Sequence, residues 1–264
     1  MLGSEVWFKN KLQLKYFNVQ HSDEIYGSNY WSNYETLSKL TAFCSKIEKI
    51  SVNYCSLKSI MKCIIQSRYT LTVLCFKRGY YINADEFKQI VTHGQELLEL
   101  NISFLNGGSL SQSCVDFLCD KLTTKIEKLD ISGQVNFRDE QLKRMLRRCS
   151  KLTEFAFAFT SVSDESVDTI TKILSPTLMK IDPSHVFSFD RLLEFESMPK
   201  LKKLRLGWLQ ISDEEKEEVK KIMPKLLDSN EKLDIALPYT SDLGQKGKKP
   251  TGFWEMKCKP QKLH

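Results

Sequence analysis

Residues 97–104 read Leu-Leu-Glu-Leu-Asn-Ile-Ser-Phe, with apolar side chains at the first, fourth and sixth places. The same spacing returns at Ile126, Leu129 and Ile131, at Leu152, Phe155 and Phe157, and at Leu201, Leu204 and Leu206. Weaker copies stand at Ile47, Ile50 and Val52, at Leu71, Leu74 and Phe76, and at Leu178 and Ile181, whose sixth place is Pro183. A return about every 26 residues falls within the period of leucine-rich repeats, roughly 20–29 residues, in which one strand and one helix cannot bury their apolar faces alone and so stack on the next unit. The expected fold is α/β: a leucine-rich-repeat solenoid with a curved parallel sheet inside, helices outside, and a C-terminal tail folded back.

Between the strand motifs the apolar spacing is helical, which predicts helices over 57–66, 84–93, 112–122, 138–148, 164–174, 189–197 and 213–223. Asn83 with Glu86, and Ser212 with Glu215, have the spacing of reciprocal helix-start caps. The acidic run Asp213 to Glu218 reads as the solvated face of the last helix, with Lys220 and Lys221 as charge partners. Solenoid ends need covers, so residues 1–39 are expected to form an N-terminal cap, with a first strand near Leu12 and Leu14 and an inserted loop over 15–36. The repeats then occupy 40–239, ending in a short strand at Leu233 and Ile235. Residues 240–264 form a basic and aromatic tail whose Phe253 and Trp254 read as an anchor onto the domain.

Composition narrows the function classes. The chain has 264 residues, 41% of them hydrophobic, and a formal charge of +6. No run of 18 apolar residues occurs, and Glu5, Lys9, Lys11 and Lys15 interrupt the start where a signal peptide would be apolar. A soluble intracellular protein, nuclear and/or cytoplasmic, is expected, with no membrane partner. Eight cysteines without a CxxC pair read as buried thiols rather than a disulfide framework or zinc site. The positive charge gathers at the end, where six lysines face Asp242 and Glu255. Lys246, Lys248 and Lys249 there read as a solvated loop or an import signal, and nucleic-acid binding is not expected, for want of a basic stripe.

No catalytic motif is present: there is no GxSxG, P-loop, HExxH or Gly-rich dinucleotide turn, and the four histidines are scattered. His93, before Gly94, fits a helix C-terminus. No enzyme activity, cofactor or metal is expected. Binding by the inner face is, because residues alternating with the buried positions of each strand point to the concave side. The candidate protein-binding residues there are Glu99, Asn101, Lys128, Asp130, Asp182 and Arg205, with Phe104, Phe159 and His185 just past three strands and Trp254 in the tail. A mixed polar face with aromatics at its edge suits a target protein or peptide.

The stretch Cys149 to Ile170, C-S-K-L-T-E-F-A-F-A-F-T-S-V-S-D-E-S-V-D-T-I, resembles the cysteine-containing repeats of F-box/leucine-rich-repeat proteins. Residues 97–104, 126–133, 142–152 and the F-W-E-M-K-C-K string at 253–259 are similar, in order and spacing, to the S-phase kinase-associated substrate receptors of Skp-cullin-F-box ubiquitin ligases. The resemblance implies an F-box module ahead of the repeats that grips the ligase adaptor, a concave face that presents substrates for ubiquitination and proteasomal degradation in the cell cycle, and a tail along that face. Ser4 to Trp7 look like the last residues of an F-box, so adaptor and cullin are partners only if one lies upstream. Where the family holds a Trp, two Arg and an Asp for its target, this sequence reads Phe104, Val135, Phe159 and His185. Without those arginines the same phosphorylated cargo is not implied. The expectation is a non-catalytic substrate-recognition subunit; the alternative is a stand-alone repeat scaffold or inhibitor.

Overall fold

The structure is a computed structural model, and it describes residues 15–19, 46–53, 57–79, 82–105, 109–184 and 186–205, with 214 and 221. The described strands form one eight-stranded, all-parallel sheet in strictly sequential order. They are β1 Tyr16–Val19, β2 Lys49–Asn53, β3 Val73–Lys77, β4 Glu99–Asn101, β5 Lys128–Asp130, β6 Glu154–Ala156, β7 Lys180–Asp182 and β8 Lys203–Leu204. Between them run α1 Met61–Gln66, α2 Ala84–His93, α3 Gln112–Lys121, α4 Asp139–Arg148, α5 Val167–Leu174 and α6 Phe189–Leu193. Helices α1 to α4 each pack on the next. The chain is thus a leucine-rich-repeat type of α/β solenoid.

The repeat spacing produces this because the first, fourth and sixth places all face the layer between sheet and helices. Leu97, Leu100 and Ile102 are at most 3% exposed, and Ile126, Leu129, Ile131, Leu152, Phe155 and Phe157 are fully buried. Toward the C-terminal repeats the layer is aromatic: Phe155 stacks on Phe157 at 4.5 Å, Phe157 meets Phe187 edge-on at 5.7 Å, and Phe187 lies 5.9 Å from Phe195. Helices α2, α3, α4 and α6 begin within a residue of the expected starts, α1 and α5 begin four and three residues later, and the Ser212–Glu215 cap lies outside the described residues. Asn83 accepts from the Asp85 amide at 2.8 Å, an Asx cap rather than a box closed by Glu86.

Residues 16–19 were expected inside a loop but form β1, in register from Tyr16 opposite Lys49 to Val19 opposite Val52. Lys15 O explains the docking, because it accepts both the Glu48 and Lys49 amides. The cap and loop beyond that strand, the region of Leu12 and Leu14, the helix at 213–223 apart from Glu214 and Lys221, the last strand at Leu233 and Ile235, and the 240–264 tail lie outside the described residues. No described helix is long and apolar enough to cross a membrane.

Candidate protein-recognition face

Register lines the inner-face side chains into rows. The first runs Lys49, Val73, Glu99, Lys128, Glu154, Lys180, Lys203, and the second Ser51, Cys75, Asn101, Asp130, Ala156, Asp182. From Glu99 to Lys180 the first row alternates in charge, and the Lys128 ammonium bridges Glu99 at 2.8 Å and Glu154 at 3.3 Å. Burial works against the Lys128 charge, but the flanking carboxylates outweigh it and hold the group above its ordinary value. Val73, Leu74, Cys75, Glu99, Leu100, Asn101 and Lys128 line a small adjoining depression, open to solvent.

In the second row, the polar side chains close the ends of their own strands. Asn101 Oδ1 accepts from the Ser103 amide and hydroxyl, Asp130 Oδ1 accepts from the Ser132 amide, and Asp182 Oδ1 accepts from the Ser184 amide and hydroxyl. Asn101 Nδ2 also donates to Asp130 Oδ2 at 2.8 Å. All three residues are buried. Desolvation pushes the Asp130 carboxyl above its ordinary value against these bonds, and does the same to Asp182 against Ser184 and Arg205. Arg205 Nη1 stands 3.7 Å from Asp182 Oδ2.

Three residues past the second row, the chain turns through the left-handed region in successive repeats: Arg78 (φ 50°), Phe104 (φ 51°), Gly133 (φ 83°) and Phe159 (φ 57°). Each donates its amide to the next repeat, Arg78 to Ser103 O, Phe104 to Ser132 O, Gly133 to Ala158 O and Phe159 to Ser184 O. Register therefore sets Gly133, not Val135, in line with Phe104 and Phe159. For a side chain with a β-carbon this backbone costs about 1–2 kcal/mol, and a bulky residue there is an outlier. Glycine at 133 leaves room for the Phe104 ring, whose Cδ1 would lie 3.0 Å from a β-carbon at that position. The ring crosses the gap and meets Phe159 edge-on at 5.7 Å. Phe104 stays 43% exposed, with the 54% exposed Val135 also at this end of the repeats.

The structure thus gathers Glu99, Lys128 and Arg205 on the partly open inner face, closes Asn101, Asp130 and Asp182 into strand-end turns, and joins Phe104 with Phe159 on the rim. His185 and Trp254 lie outside the described residues. Sequence reading missed the left-handed position and the alternating ladder. The ladder could have been found from the Glu-Lys-Glu-Lys order of Glu99, Lys128, Glu154 and Lys180 alone. Among the described residues, no group of three or more His, Cys, Asp or Glu is placed to hold a metal ion. Cys63, Cys75, Cys114, Cys119 and Cys149 are buried. Desolvation pushes the Cys119 and Cys149 thiols up to about 12, which keeps them protonated and unreactive.

No family model and no curated protein matches the chain. Among solved structures it is similar to one described as the crystal structure of the Rad7 and Elc1 complex in yeast, at 12% identity over 83% of this chain and 76% of that chain, with a TM-score of 0.40.

Proposed function

We propose that this chain is a non-catalytic protein-recognition solenoid, and that it serves as the substrate-recognition subunit of a Skp-cullin-F-box type ubiquitin ligase. The observation that carries the recognition reading is the rim pair: two phenylalanines held in a backbone region that favours glycine, in contact across Gly133, one with nearly half its surface in water. Local strain with exposed aromatic surface is a poor arrangement for stability alone and a good one for anchoring a partner. The ligase assignment rests on the likeness of residues 97–104, 126–133, 142–152 and 253–259 to that receptor group. A receptor of this kind works by raising the effective concentration of a target lysine near a charged ubiquitin carrier, so affinity and geometry suffice.

Affinity capture of the native protein through a C-terminal tag tests the assignment. Co-purification of adaptor and cullin together with targets is the expected result. Targets without adaptor or cullin would make the protein a free-standing binding scaffold, and the absence of any specific protein partner would remove the recognition reading.

A further inference from the structure

The alternating ladder does not end as it runs. Across β4 to β7 each inner-face charge meets its opposite, Glu99 with Lys128, Lys128 with Glu154, and Glu154 with Lys180, at 2.8, 3.3 and 3.8 Å. At the next rung, where the alternation calls for an acid, the residue opposite Lys180 is Lys203. Like charges directly opposite on neighbouring strands repel, and strands stand about 4.8 Å apart. Among the described residues Lys203 has no ion-pair partner, although β8 is held firmly, with the Lys202 and Lys203 amides both donating to Met179 O and the Arg205 amide to Ile181 O. Two places along, Arg205 adds a third cation, 3.7 Å from Asp182 Oδ2.

We propose that the Lys180–Lys203 rung is the docking place for an acidic side chain, aspartate or glutamate, of an extended target segment laid across the inner face, with the bound carboxylate taking the place that the ladder leaves open. This rests on the protein-recognition reading above and adds the chemical class of target: a segment with an acidic residue. Flanking cations would give the encounter a salt-dependent rate as well as a defined position.

The test is fluorescence anisotropy of the purified chain with a fluorescein-labelled (Glu-Ala)₅ peptide, beside the same peptide with Gln for Glu and one with phosphoserine for Glu. The expected result is binding of the Glu peptide, at least tenfold weaker binding of the Gln peptide, and at least tenfold weaker binding of the Glu peptide by Lys203→Glu. Lys203→Arg and the exposed neighbour Lys202→Glu should stay within about twofold of the parent. Lys203→Glu gives Lys180 an intramolecular partner, so its melting midpoint should be no lower than the parent's, and Lys203→Gln supplies a second loss-of-charge reading. Equal weakening by Lys202→Glu would mean diffuse attraction and overturn the proposal, as would unchanged binding by Lys203→Glu, or binding confined to the phosphoserine peptide. Loss of captured partners on changing Phe104 would then still stand, so failure here is distinct from failure of the recognition reading.

Discussion

A β-carbon at position 133 would lie 3.0 Å from Phe104 Cδ1 and 3.3 Å from Phe104 Cα, on a backbone with φ of +83°. Gly133→Ala therefore combines left-handed strain with crowding of the rim ring, and should lower stability by about 1–3 kcal/mol, read as a shift of the urea midpoint at unchanged slope. Phe104 and Phe159 were legible in the sequence as aromatics just past strands, because position alone puts them there. Their backbone strain was not, since nothing in a phenylalanine announces a positive φ, and only register puts Gly133 in line with them where the resemblance points to Val135. Asn101, Asp130 and Asp182 were legible as inner-face residues, but the Ser two places on turns each of them toward its own strand end. The buried thiols make a further prediction at this scale: iodoacetamide at pH 8 should leave Cys119 and Cys149 unmodified in the native protein and label both in urea, because burial pushes both thiols up to about 12 and shields them from the reagent.

Neighbouring repeats are stitched at their helix starts as well as through the sheet. Asp139, in the first turn of α4, accepts from the Ser163 amide at 2.8 Å and from the Ser163 and Ser166 hydroxyls of the following repeat. Asp164 accepts the Ser188 amide one repeat later, at 2.8 Å. Burial alone would raise the Asp139 carboxyl, but the Ser166 and Ser163 bonds outweigh it and hold it below the ordinary 3.8. A lowered folded-state value means stability that is present above pH 3.8 and is lost as pH falls through the folded value. Asp139→Asn should cost about 1 kcal/mol at pH 7, and the gap between variant and parent should close as denaturation is repeated toward pH 3. A gap that does not change with pH would assign the effect to shape instead of charge. The spans of α2, α3 and α4 were legible to within a residue and those of α1, α5 and α6 to within four, because apolar spacing fixes them, whereas these caps join residues some 24 apart and only the stacked repeats bring them together.

At the scale of the molecule, each repeat rests on its neighbours, so damage to a central layer should spread outward. Leu129, fully buried between its neighbours Leu100 and Phe155 in register, should cost about 2–5 kcal/mol as Leu129→Ala, with hydrogen exchange accelerated in β4 and β6 more than in β2. The solenoid itself was readable from one eight-residue stretch because a one-dimensional array repeats its own instructions. The site was only partly readable, because a rim and a ladder depend on which residues fall in register. The claim to test most directly is that the strained aromatic rim exists for binding. Phe104→Gly removes the ring and the backbone strain together, so the variant should fold with a melting midpoint within about 5 °C of the parent. Quantitative affinity capture of that variant beside the parent should show at least a tenfold loss of the specifically captured proteins. Capture at the parent's level by the folded variant would contradict the account.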